Sequence, residues 1–107
     1  MLAEFSIAPM NHPGGLSGVV AEMIRIVDDS GLPYELHAMG TIIEGPWDEV
    51  MAVIGKCHAK ALETGSRVST FIKIDDNPGR TNRLTGKVEA VERVLGRPAR
   101  RCTPDKE

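Results

Sequence analysis

Carboxylates and an imidazole fall at alternate positions within one short stretch, Tyr34-Glu35-Leu36-His37-Ala38-Met39-Gly40-Thr41-Ile42-Ile43-Glu44-Gly45-Pro46-Trp47. Read as two strands reversing near Met39-Gly40, it puts Glu35, His37, Ile42 and Glu44 on one face. Tyr34, Leu36, Thr41 and Ile43 then take the other face. If that second face meets a core, the first carries two carboxylates and an imidazole that must be solvated, paired with each other or used for binding. Such groups suit a cationic or hydrogen-bond-donating ligand.

Other chemistry finds less support. The histidines are His12, His37 and His58, without HExxH or the spacing of a zinc site. Cys57 and His58 are neighbours in a helical pattern and so point about 100° apart, poor geometry for a nucleophile and its base. A core cysteine beside a half-exposed histidine is the plainer reading. There is no GxSxG elbow and no P-loop. Arg80 and Arg83 could hold an anion such as a phosphate tail, or be ordinary solvated loop charges.

These residues need a scaffold. Glu4-Phe5-Ser6-Ile7-Ala8 alternates up to Pro9 as a first strand, and Asn11-His12-Pro13-Gly14-Gly15 is a loop. Leu16, Val19, Val20, Met23, Ile26 and Val27 recur at helical spacing before a stop at Ser30-Gly31. After the hairpin, a second helix opens at Pro46 with Asp48 and Glu49 at its positive end. Its predicted inner stripe is Trp47, Val50, Met51, Ile54, Cys57, Ala61 and Leu62. A fourth strand follows over 67–75, then a turn at Asp76-Asn77-Pro78-Gly79-Arg80. Leu84, Val88, Val91 and Val94-Leu95 mark a third helix that closes at Gly96.

The order βαββαβ plus a C-terminal helix specifies an α+β, ferredoxin-like split βαβ sandwich. Two helices would cover one face of a four-stranded antiparallel sheet and leave the other open. Residues 1–97 form one domain, and 98–107 a polar C-terminal tail. Parity assigns Glu4, Ser6, Ala8, Glu35, His37, Ile42, Glu44, Ser69, Phe71, Lys73 and Asp75 to the open face.

Composition narrows the function classes. Across 107 residues, 13 basic against 15 acidic side chains give a net charge of -2. That argues against a nucleic-acid partner held by phosphate neutralisation. An RNA-recognition sheet would also need stacked aromatics where this chain offers Phe71 alone. An acylphosphatase-like loop would need an arginine cradle after the first strand, which Asn11–Gly15 lacks. No signal peptide or bilayer-spanning run is evident, so the expected setting is cytoplasmic, without membrane association. One disulfide between Cys57 and Cys102 is conceivable, but reduced thiols are the simpler expectation. A core this thin makes oligomerisation a natural source of further burial.

The chain resembles the thiamine-binding protein family. The matching residues are Glu4-Phe5-Ser6-Ile7-Ala8-Pro9, the block from Tyr34 to Gly45, Trp47-Asp48-Glu49-Val50, Cys57-His58 and the run Arg67–Asp75. They lie within roughly residues 4 to 95. The resemblance implies the same fold, homo-oligomers (dimers or tetramers) built through the sheets, and non-catalytic binding of thiamine or a related pyrimidine. No cofactor is then required, and thiamine is the bound ligand. This chain departs from the pattern in its loop at Asn11–Leu16, which intervenes before Ser17.

Thiamine combines a permanently cationic thiazolium with an aminopyrimidine. Glu44 or Glu35 could bond the pyrimidine edge, Ser6 and Thr41 could add hydroxyl contacts, and Trp47 or Phe71 a flat apolar surface. His37 and Lys73 complete the expected ligand-binding set. Thr41 lies on the core-facing parity and would need a bulge or pocket mouth to reach a ligand, and Trp47 competes as a core residue. The alternative is a ferredoxin-like regulatory or structural oligomer with no small-molecule ligand. An enzyme built on Glu44, His37 and Lys73 is disfavoured because nothing orients a base toward a nucleophile.

Overall fold

The computed structural model describes residues 1–65 and 67–100. Seven elements follow in the order β1 (Leu2–Pro9), α1 (Ser17–Asp29), β2 (Tyr34–His37), β3 (Gly40–Glu44), α2 (Trp47–Leu62), β4 (Val68–Asp75) and α3 (Arg83–Leu95). The strands form one antiparallel sheet in the order β2-β3-β1-β4, so the middle positions go to β3 and β1. This is the expected ferredoxin-like split βαβ arrangement.

Register settles which side chains share a face. Ala3 pairs with Ile43 and Ile74, Phe5 with Thr41 and Ile72, and Ile7 with Thr70. Tyr34 and Leu36 extend that face across β2, opposite Ile43 and Thr41. Leu2, Glu4, Ser6, Glu35, His37, Ile42, Glu44, Phe71 and Lys73 occupy the reverse face. Alternation along the sequence assigned these parities correctly.

α1 and α2 close over the first face. Val19, Met23 and Val27 are buried at i, i+4, i+8 on α1. Val50, Val53, Ile54, Cys57 and Ala61 are buried on α2 and meet Ala3, Phe5, Ile7 and Ile43 in one core. A helix stripe of this width is what covering a sheet requires. The Cys57 thiol donates to the carbonyl oxygen of Met23 at 3.5 Å, tying the two helices together. His58, one residue on, turns to Thr70 of β4, with Nδ1 2.6 Å from Oγ1. The two side chains therefore serve different contacts.

Two expectations are corrected. Helical spacing puts Trp47 on the inner stripe, yet it is 52% exposed. Leu62, at the opposite end of α2, is exposed as well, whereas Val53 belongs to the core. Hydrophobic spacing runs the whole length of the helix, but the core covers only its middle, and both ends overhang. Pro46 precedes the helix in an extended conformation instead of opening it.

The second correction concerns the reverse face of the sheet, which is only partly open. α3 packs against it over β3. Its first two amides donate to the carboxylate of Glu44, Arg83 N–H to Oε2 at 2.8 Å and Leu84 N–H to Oε1 at 3.0 Å. Asn82, just before the helix, has φ 55° and makes no side-chain cap. Glu44 thus satisfies two of the amides that a helix start leaves unpaired, and it does so from a strand about 40 residues earlier in the chain.

Candidate functional site

The hairpin that sets the site is narrow because of Gly40. A Cβ there would stand 3.0 Å from the Phe5 carbonyl oxygen, too close for any larger residue to keep the β1–β3 pairing undisturbed. With that pairing in place, Glu35 is held opposite Ile42, and His37 opposite Gly40. The carboxylate of Glu35 and the imidazole of His37 are 3.0 Å apart. Both are solvent-accessible, and this contact uses one edge of each group.

Between this corner and α3 is a cavity of about 640 Å³. Glu35, His37 and Ile42 form its sheet wall, and Leu84, Thr85, Val88, Glu89 and Glu92 its helix wall. Leu84 and Val88 are one turn apart, and Glu89 and Glu92 are three residues apart, so each pair projects from one side of α3. Glu92 accepts a hydrogen bond from the Ala99 amide at 2.6 Å, which brings the chain after Gly96 back over the cavity end. Glu89 enters no ion pair among the described residues. Carboxylates thus stand on both walls of a partly apolar slot, a setting that favours a flat, positively charged guest.

A second cavity, of about 270 Å³, continues along the same helix. It shares Ile42, Leu84 and Val88 with the first and adds Glu4, Lys73 and Asp75 from the sheet. Lys87 donates to Asp75 across its far end. That hydrogen bond, together with the nearby charges of Lys87, Arg83 and Lys73, holds the Asp75 carboxyl below the usual carboxylate range.

The expected ligand residues thus separate into groups. Glu35 and His37 line the larger cavity, and Lys73 lines the second. Glu44 has both carboxylate oxygens engaged by α3, so it holds the helix in place. Ser6 and Thr41 border a smaller cavity of about 160 Å³ at the hairpin end, where Thr41 is 5% exposed on the core-facing side. Phe71, 71% exposed, sits on β4 opposite Ser6. Neither Phe71 nor Trp47 lines these cavities.

Leu84, Val88, Glu89 and Glu92 went unassigned from sequence. Their amphipathic spacing was visible, but it did not say which surface the helix would meet. Among the described residues no group of three or more His, Cys, Asp or Glu gathers to hold a metal ion. No helix among them is long and apolar enough to cross a membrane. Cys102 and most of the polar tail lie outside the described residues.

Fold and cleft together define a ferredoxin-like α+β sandwich with an added helix across its second face. The chain belongs to the thiamine-binding protein family, whose model matches residues 3–92. A UPF0045 protein of Mycobacterium tuberculosis is 46% identical over 99 residues, covering 92% of this chain and 97% of that protein. The crystal structure of a hypothetical protein from Methanocaldococcus jannaschii superposes with a TM-score of 0.77 at 31% identity, over 84% of this chain and 93% of the other. A candidate thiamine biosynthesis/salvage protein from Thermotoga maritima shares the fold, with a TM-score of 0.72 at 22% identity, over 84% and 96% of the two chains.

Proposed function

We propose that this chain binds thiamine or a related pyrimidine/thiazole compound, without converting it, in the cleft between α3 and the β2–β3 corner. The observation that carries the reading is the cavity of about 640 Å³ with carboxylates on both walls and Ile42, Leu84 and Val88 between them. The membership of a family described as thiamine-binding supports the choice of guest. A thiazolium cation gains from the field of Glu35, Glu89 and Glu92, and an aminopyrimidine offers the amine that a carboxylate accepts. The apolar residues take the ring faces.

Binding without turnover is consistent with the groups present. His37 faces Glu35, and neither hydrogen-bonds a hydroxyl or thiol among the described residues. The protein would then act in the cytoplasm as a carrier, buffer or sensor, assembled as a homo-oligomer through its sheets. Titration calorimetry with thiamine and with hydroxymethylpyrimidine tests the reading. Saturable one-site heat with thiamine is expected, and no heat or thermal shift with either compound would sink it.

A further inference from the structure

The cleft does not end at its acidic cavity. The second cavity shares Leu2, Asp75, Arg83 and Lys87 with a third space, of about 80 Å³, which Met1, Asn77 and Arg80 complete. The three spaces therefore follow one another along α3, with the Lys87–Asp75 bond between the second and the third. From Glu92 to Arg83 this groove follows nine residues of helix, about 13.5 Å at 1.5 Å per residue.

The charges along the groove change sign. Glu35, Glu89 and Glu92 mark one end, the apolar Ile42, Leu84 and Val88 the middle, and Arg80, Arg83 and Lys87 the other end. Two carboxylates near the basic end, Asp75 and Glu44, are already engaged, whereas Glu4 lines the second cavity without an ion pair among the described residues. Asp75 accepts from Lys87, and Glu44 accepts from the first amides of α3. Arg80 and Arg83 enter no ion pair among the described residues.

The turn that delivers Arg80 is well defined. Its amide donates to the Asn77 carbonyl at 3.1 Å, and Gly79 supplies a left-handed φ of 82° that a side chain would resist. Arg83 is half-buried, with its guanidinium lying over Gly86, where a Cβ would come within 3.3 Å of it. Two guanidinium groups that enter no ion pair among the described residues suit a phosphate, which arginine recognises through paired N–H donors.

We infer that the groove takes a phosphate ester of the cationic ring ligand, with the phosphate at Arg80 and Arg83 and the rings toward Glu35 and Glu89. This rests on the reading that the acidic cavity binds thiamine or a relative, and it specifies the form bound. A dianionic phosphate could also arrive as the free inorganic ion, so the test separates the two sources.

Affinities of thiamine, thiamine monophosphate and inorganic phosphate are measured by calorimetry on the intact protein and on the Arg80→Gln/Arg83→Gln variant. The monophosphate should bind at least tenfold more tightly than thiamine. The variant should bring it down to the affinity of thiamine and leave thiamine itself unchanged. Arg80→Gln alone, in an exposed turn, provides the same comparison at reduced size if the double variant folds poorly. Equal affinities for ester and thiamine overturn the inference while leaving the binding reading standing. Inorganic phosphate binding as tightly as the ester also overturns it, since the site would then hold any phosphate. Failure of both ring compounds to bind removes the reading and the inference together.

Discussion

Glu44 stands on the same sheet face as Glu35 and His37, yet its chemistry is different because its oxygens meet two backbone amides. Removing this carboxylate leaves the start of α3 uncapped, and Glu44→Ala should cost about 1–2 kcal/mol in urea unfolding. Glu44→Gln keeps one acceptor and should fall between the two. Glu89 makes the useful contrast, because it faces the cleft without an ion pair. Glu89→Gln should weaken thiamine binding about three- to fivefold, the equivalent of roughly 0.5–1 kcal/mol, while the unfolding midpoint stays put. A loss of binding in Glu44→Gln as large as in Glu89→Gln, with no loss of stability, would return Glu44 to the ligand. Parity along the strand was enough to find Glu44's face, but not its partner. A bond from β3 to an amide nearly forty residues later leaves no local mark on the sequence. Cys57 carries a third residue-scale prediction. Burial pushes its thiol up from 9.0 to about 11, so the folded state retains a proton that the unfolded state loses. This contribution to stability is complete below pH 9.0 and declines as pH rises toward 11, by on the order of 1 kcal/mol per pH unit. Cys57→Ala should show a shallower decline over that window than the unaltered chain in matched denaturant titrations.

At the scale of elements, the strands and the first two helices could be read from sequence because each alternates its own core face with a solvent face. Phe5 and Ile7 mark period two, and Met23 and Val27 mark the helical repeat, without reference to anything distant. α3 is different. Leu84 and Val88 repeat as cleanly, but no residue of this helix is fully buried, and its stripe alone fits either sheet face. Its position comes from the bonds of Glu44 to its first amides and from the Lys87–Asp75 bond. A helix held at a few polar points opens more readily than one packed into a core. Amide exchange should therefore be faster throughout α3 than in the Val50–Cys57 stretch of α2. Saturating thiamine should slow α3 more than α2, because the guest fills the space under α3. Equal protection of α2 and α3 in the free protein would mean that α3 is anchored by more than these contacts.

At the scale of the whole molecule, uncovered apolar surface gathers on β4, an edge strand with one free side of backbone. Phe71 is exposed on the reverse face, while Ile72 and Ile74 remain 39% exposed on the face that α1 and α2 cover only in part. Val91 and Val94 of α3 add to this surface. Scattered apolar residues are ordinary on a protein surface, but three within four positions of an unpaired edge are not. A second copy of the chain would remove them from water and extend α3's partial cover of the reverse face. In the sequence, a thin core, Phe71 on the open face and the family resemblance suggest assembly, but exposure at Ile72 and Ile74 depends on how far α2 reaches across the sheet. Sedimentation velocity of the unaltered protein should show a dimer or tetramer. Phe71→Lys combined with Ile74→Lys should shift it to a monomer at micromolar concentration, because two added charges at the contact oppose its burial. Circular dichroism should stay close to that of the unaltered chain, since neither side chain belongs to the buried core. A double variant that sediments as before would move the contact away from β4 and onto the outer side of α3.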